Sequence, residues 1–116
     1  MANGENTKGT ILIVDDIPDT VQLLKDWLES HDFRALGVTS SLEALSVAEE
    51  QRPDLILLDI MMPKMDGMET CRRLKANPKT ANIPVVIVTA KNPSDARAEG
   101  MMAGAIDYIT KPVNLT

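Results

Sequence analysis

Four aliphatic residues in a row, Leu55-Ile56-Leu57-Leu58, end in a carboxylate, Asp59. A short, unbroken apolar run fits a strand buried on both faces, as in a parallel sheet. The pattern recurs. Ile11-Leu12-Ile13-Val14 runs into Asp15 and Asp16, and Val85-Val86-Ile87-Val88 runs into Thr89-Ala90. Parallel strands cannot be joined by tight turns and need long crossovers, usually helices. The segments between the runs must therefore supply them.

They do. After Asp16, Pro18 suits a first helical turn. Val21, Leu24 and Leu28 then fall at helical spacing, with Leu23 and Trp27 on the adjoining edge. Phe33 to Val38 reads as a strand, and Arg34 and Gly37 place it at an edge. Ser40-Ser41-Leu42-Glu43 has the spacing of a capping box. The helix it opens is expected to carry Leu42, Leu45 and Ala48 inward and to end at Pro53. Asp66 caps another helix, with Glu69 three residues on, which runs to about Ala76. Asn92-Pro93-Ser94-Asp95 starts a weak fourth helix with Gly100 inside it, and Ala105 to Thr110 reads as a short last strand. The strict alternation βαβαβαβαβ predicts an α/β fold, doubly wound, with a five-stranded parallel sheet and helices on both faces.

With 116 residues, the chain suits one domain: a flexible N-terminal tail at 1–9, then a single unit at 10–116. Net charge is −5 with no basic cluster, which excludes nucleic-acid binding by this segment. The apolar runs are too short to span a bilayer. Met1 to Gly9 has no apolar core of the kind a secretory signal needs. One cysteine, Cys71, cannot form an internal disulfide and fits a reducing cytoplasm.

Strands of a parallel sheet point the same way, so their ends meet at one edge. Asp15 and Asp16, Asp59, Thr89 and Lys111 each end or closely follow a different strand. Taken singly each has a plain explanation: acids beginning a helix, a hydroxyl bonded to backbone, a solvated cation. Together they describe one chemistry. Crowded carboxylates repel unless a cation is present. Mg²⁺ takes oxygen ligands and bridges to phosphoryl oxygens. A carboxylate nucleophile, a metal, a lysine and a hydroxyl suit formation of an aspartyl phosphate.

The chain resembles the receiver domains of two-component response regulators, the chemotaxis regulators among them. The matching pieces are Ile13-Val14-Asp15-Asp16, Leu57-Leu58-Asp59 with Met62-Pro63 and Met65-Asp66-Gly67, Val88-Thr89-Ala90, Gly104-Ala105, and Asp107-Tyr108-Ile109-Thr110-Lys111-Pro112. The resemblance implies a flavodoxin-like sheet of order 2-1-3-4-5. It implies that Asp59 accepts a phosphoryl group from a partner histidine kinase or phosphotransfer protein. Mg²⁺, for which Mn²⁺ can substitute, would be held by Asp16, Asp59 and the Met61 backbone carbonyl, with Asp15 acting through water. Thr89 and Tyr108 would form the switch, and Lys111 would pair with the added charge, aimed by a cis Lys111-Pro112 bond. Output would use the face of the fourth helix and last strand, toward an effector or an attached domain.

Met61 and Lys91 lie two residues past Asp59 and Thr89 and are expected to line the site mouth and tune water access. His31, the sole histidine, sits in a polar turn away from the rim and is not a phosphoryl relay. Only Val113-Asn114-Leu115-Thr116 follow Lys111-Pro112, so the fifth helix of the family is expected to be absent or truncated. An apolar strip on the sheet and along Val21, Leu24 and Leu28 would then be open to a partner or a second copy, giving a homodimer. The favoured reading is a signalling switch that catalyses only its own phosphorylation and dephosphorylation. The alternatives are a Mg²⁺-dependent aspartyl-phosphate phosphohydrolase and an unphosphorylated docking scaffold. A hydrolase typically has a second acid where this chain has Met61.

Overall fold

A computed structural model describes residues 7–60, 67–89 and 104–110, and for Thr89, Tyr108 and Thr110 the backbone only. The elements are β1 (Thr10–Val14), α1 (Pro18–Ser30), β2 (Arg34–Val38), α2 (Ser41–Gln51), β3 (Leu55–Leu58), α3 (Gly67–Ala76), β4 (Val85–Thr89) and β5 (Asp107–Thr110). The five strands form one sheet in the order β2-β1-β3-β4-β5, parallel at every pairing. The expected sheet is thus the observed one, with β2 at an edge. The weak fourth helix, the Lys111-Pro112 bond and the fate of the fifth helix lie outside the described residues. Of the expected N-terminal tail, Lys8 and Gly9 extend the β1–β2 ladder: the Lys8 amide donates to Asp32 O at 2.7 Å and the Arg34 amide to Gly9 O at 2.9 Å.

Strand alternation sorts the core into two layers. Leu12, Val14, Ile56, Leu58, Val85 and Ile87 face α2 and α3, where they join Ala44, Ala48, Met68, Cys71 and Leu74. Ile11, Ile13 and Ala35 face α1 and meet Val21, Leu24 and Leu28. The second layer corrects one expectation. Val21, Leu24 and Leu28 are not an open strip, because at 8%, 6% and 6% exposure the sheet itself covers them. Leu55 and Leu57 of the central strand stay half-buried on this side, as do Trp27 and Phe33, so β3 is sealed on one face only.

The helix ends follow their residues. Pro18 begins α1 where no amide donor is required. Ser40 caps α2: its hydroxyl oxygen accepts the Glu43 amide at 3.2 Å and its O–H donates to Glu43 Oε1 at 3.2 Å. The inward face of α2 differs from expectation. Ala48 is buried as expected, but its buried companions are Ser41 and Ala44, whereas Leu42 is 68% exposed and Leu45 half-buried. Small residues let the helix backbone seat close on the sheet. The leucines turn sideways and, with Leu74 and Arg73 of α3, line a groove of about 400 Å³. Across it, Glu49 accepts from Asn77 Nδ2 at 2.9 Å and Lys79 Nζ at 3.3 Å. These two hydrogen bonds hold the Glu49 carboxyl below its usual range.

Candidate functional site

The sheet order creates the site. From β1 the chain steps one way to β2, then returns across β1 to β3, and β1 and β3 lie side by side where the direction reverses. Ligands bind at the carboxyl ends of strands at such a point. The register Val14↔Leu58 brings the residues after these two strands level. Asp59 continues the ladder, its amide donating to Val14 O at 2.8 Å. The Asp15 amide donates to Val38 O at 3.2 Å, so both acids are held by backbone on rigid elements.

Asp15, Asp16 and Asp59 come together as expected. One ligand oxygen from each lies within 4.8 Å of the others. Asp15 and Asp59 are 2% and 3% exposed, and Asp16 is half-buried. One Asp15 oxygen accepts the Ile17 amide at 3.0 Å, which closes a turn at the start of α1 and orients the carboxylate. Two carboxylates at 4.8 Å repel by on the order of 3 kcal/mol at an effective dielectric near about 20.

Hard oxygen donors at this spacing fit a small divalent cation. An octahedral ion with bonds of about 2.1 Å holds its ligand oxygens about 3 to 4 Å apart. The three carboxylates meet that range with small side-chain adjustments or through one water.

Thr89 ends β4 beside β3, and its backbone pairs with Thr110 of β5. Tyr108 pairs with Ile87, two rungs earlier, so the expected switch residues stand on neighbouring strands. Met61, Lys91 and Lys111 lie outside the described residues.

Two further residues act at the site through their backbone alone, and no role was expected of either. Ile17 contributes only its amide, which carries no side-chain signal. Gly67 donates its amide to Ile60 O at 3.2 Å, which ties the start of α3 to the residue after Asp59. Its one visible sign is the Asp-Gly turn.

His31 and Cys71 stay apart from this chemistry. His31 caps α1 at its C-terminus, with Nδ1 at 2.9 Å from Trp27 O and its ring tilted 31° against that of Trp27 at 4.3 Å. The 13 residues of α1 put that end about 20 Å from the acids. Trp27 is therefore a poor optical reporter of the site. Cys71 is fully buried, and burial pushes its thiol up, which favours the unreactive form.

Comparison with known proteins agrees with this geometry. The family model of the response regulator receiver domain matches residues 11–116. The response regulator PleD of Caulobacter vibrioides is 43% identical over 104 residues, covering 90% of this chain and 23% of PleD. The chain thus spans about a quarter of that relative. Protein PilH of Pseudomonas aeruginosa is 38% identical over 104 residues, covering 90% of this chain and 86% of PilH. Among solved structures, the receiver domain of a sensor histidine kinase from Pseudomonas aeruginosa superposes with a TM-score of 0.83. It is 31% identical, covers 92% of this chain and 88% of that one, and holds a magnesium ion in its active-site cleft. With its sheet order, its acidic cluster and a family match over nearly its whole length, this chain belongs to the response regulator receiver domains of two-component systems.

Proposed function

We propose that residues 10–116 form a phosphorylation-controlled switch with Asp59 as its phosphoacceptor. The observation that carries this reading is the convergence of Asp15, Asp16 and Asp59, with Asp59 buried at the end of the central strand. Asp16, Asp59 and the Met61 carbonyl would hold Mg²⁺ or Mn²⁺, and Asp15 would act through water. The bound ion would supply positive charge to the phosphoryl oxygens.

In the transfer step an Asp59 oxygen attacks phosphorus on a phosphohistidine of a partner kinase or phosphotransfer protein. The P–N bond breaks, and its electron pair stays on the imidazole nitrogen, which takes a proton from solvent. Backbone support of Asp59 on β3 fixes the nucleophile for in-line attack. Lys111 pairs with the added charge, and the Thr89 hydroxyl donates to a phosphoryl oxygen. Movement of Thr89 draws Tyr108 inward, which relays the change to the face of the fourth helix and β5. That face would engage an effector, an attached output domain or a second copy. Hydrolysis reverses the state: water attacks phosphorus, the Asp59–phosphorus bond breaks, and phosphate leaves. Met61 and Lys91 at the mouth set how readily that water enters. The chain has no other substrate in this reading, and it would work in the cytoplasm. Among the described residues no helix is long and apolar enough to cross a membrane.

The test is NMR of the labelled protein with Mg²⁺ and a small phosphodonor or beryllofluoride. The Asp59 and Ile60 amides and the β4–β5 residues should shift in wild type and stay still in Asp59→Asn. Unchanged wild-type spectra at saturating Mg²⁺ and beryllofluoride would refute the reading.

A further inference from the structure

Gly67 opens α3, and its backbone lies directly against the strand end that carries Asp59. No side chain fits there. A β-carbon at Gly67 would overlap the Ile60 Cα and stand 2.5 Å from the Asp59 carbonyl oxygen and 3.0 Å from Ile60 Cβ. The two nearest obstacles are backbone atoms, so no change of rotamer relieves them.

Both sides of this contact are buried in the larger core. α3 is anchored in the larger core by Met68, Cys71 and Leu74, exposed by 1%, 0% and 1%. Asp59 and Ile60 follow Leu58, and at 3% and 5% exposure they are buried against it. A side chain at position 67 would therefore force α3 and the Asp59–Ile60 backbone apart.

We infer that Gly67 is a positioning residue for Asp59. Its bare backbone lets α3 seat on Asp59–Ile60, and its amide bond to Ile60 O holds that seat. The contact keeps the Asp59 carboxylate in register with those of Asp15 and Asp16. This rests on the proposed role of the acidic cluster. Metal sites tolerate ligand displacements of only about 0.2 Å, and loss of an outer supporting contact typically weakens metal binding about 10- to 100-fold.

The experiment compares Gly67→Ala with Gly104→Ala. Gly104 precedes β5, at the sheet edge opposite the acids. It has φ +98°, so alanine there is strained, while the nearest obstacle is Cγ of the Lys75 side chain rather than backbone. Both variants should lose stability. Gly67→Ala should move the Asp59 and Ile60 amide resonances without metal and raise the Mg²⁺ dissociation constant about tenfold or more. Gly104→Ala should keep that constant within about twofold of wild type, since it lies outside the supporting contact. A folded Gly67→Ala with unmoved amides and wild-type Mg²⁺ affinity would overturn the inference, because α3 would then have yielded. Wild type that binds no Mg²⁺ would sink the functional reading, while the metal-free amide comparison would still decide Gly67. Should Gly67→Ala not fold, hydrogen exchange in wild type decides. Mg²⁺ should slow exchange of the Gly67 amide beyond the change seen at the Lys75 amide of the same helix, and an equal change at both would overturn the role.

Discussion

Leu58 and Asp59 are adjacent and almost equally buried, at 0% and 3% exposure, yet their burial acts in opposite directions. Leu58 leaves water for a close-packed core, which stabilises the fold by about 2 to 3 kcal/mol. Asp59 leaves water for a place beside two other carboxylates, whose mutual repulsion works against the fold. The body of the sheet and its rim are thus built by opposite rules. The apolar body is rigid enough to hold a rim that would not assemble alone. Functional sites are where such local conflicts are expected.

The largest test of this contrast is Leu58→Ala, which should cost about 3 to 4 kcal/mol in urea unfolding through the cavity it leaves. Leu57→Ala, on the half-buried face of the same strand, should cost about half as much. Equal losses would erase the difference drawn between the two faces of β3.

At the rim the sign should reverse. Mg²⁺ at about 100 times its dissociation constant should raise unfolding free energy by about 2.7 kcal/mol. Asp16→Asn should abolish most of that gain. In metal-free buffer it should be more stable than wild type by on the order of 1 kcal/mol, because one repelling charge is gone. A metal-free Asp16→Asn less stable than wild type would break the contrast.

Away from both regions, Ser40→Ala should cost about 1 kcal/mol by removing the cap of α2, with Mg²⁺ affinity unchanged.

The smallest effect concerns an acid of the other kind. Glu49 is partly exposed and accepts from Asn77 and Lys79, so its folded pKa lies below the ordinary 4.5. A depressed folded pKa adds stability above the unfolded value, and that stability is lost as pH falls through the folded value. Glu49→Gln should therefore be slightly less stable than wild type at pH 7, and the gap should close as pH falls below 4.5. A gap that is constant across that range would show that the carboxylate's charge does not matter to the α2–α3 clasp.

Much of this was legible in the residues. Unbroken aliphatic runs identified β1, β3 and β4, and acids and a threonine at their ends pointed to the rim. Val21, Leu24 and Leu28 marked the buried side of α1, and Ser40 with Glu43 marked the start of α2. The inward face of α2 was misread because two stripes compete there. Hydrophobicity favours Leu42 and Leu45 beside Ala48, but close approach of helix to sheet favours Ser41 and Ala44 beside it. Which stripe wins depends on interhelical space that no local pattern records.

The chain by itself determined its strand and helix order, its parallel sheet and the carboxylates at the strand ends, because short-range pattern and crossover rules suffice for these. The tertiary structure alone decided the contact distances. It settled that Val21, Leu24 and Leu28 are covered by the sheet, that Leu57 is half-open while Leu58 is sealed, and that Gly67 rests on the Asp59 backbone. Those facts come from the packing of segments distant in sequence, where volume and register decide what periodicity cannot.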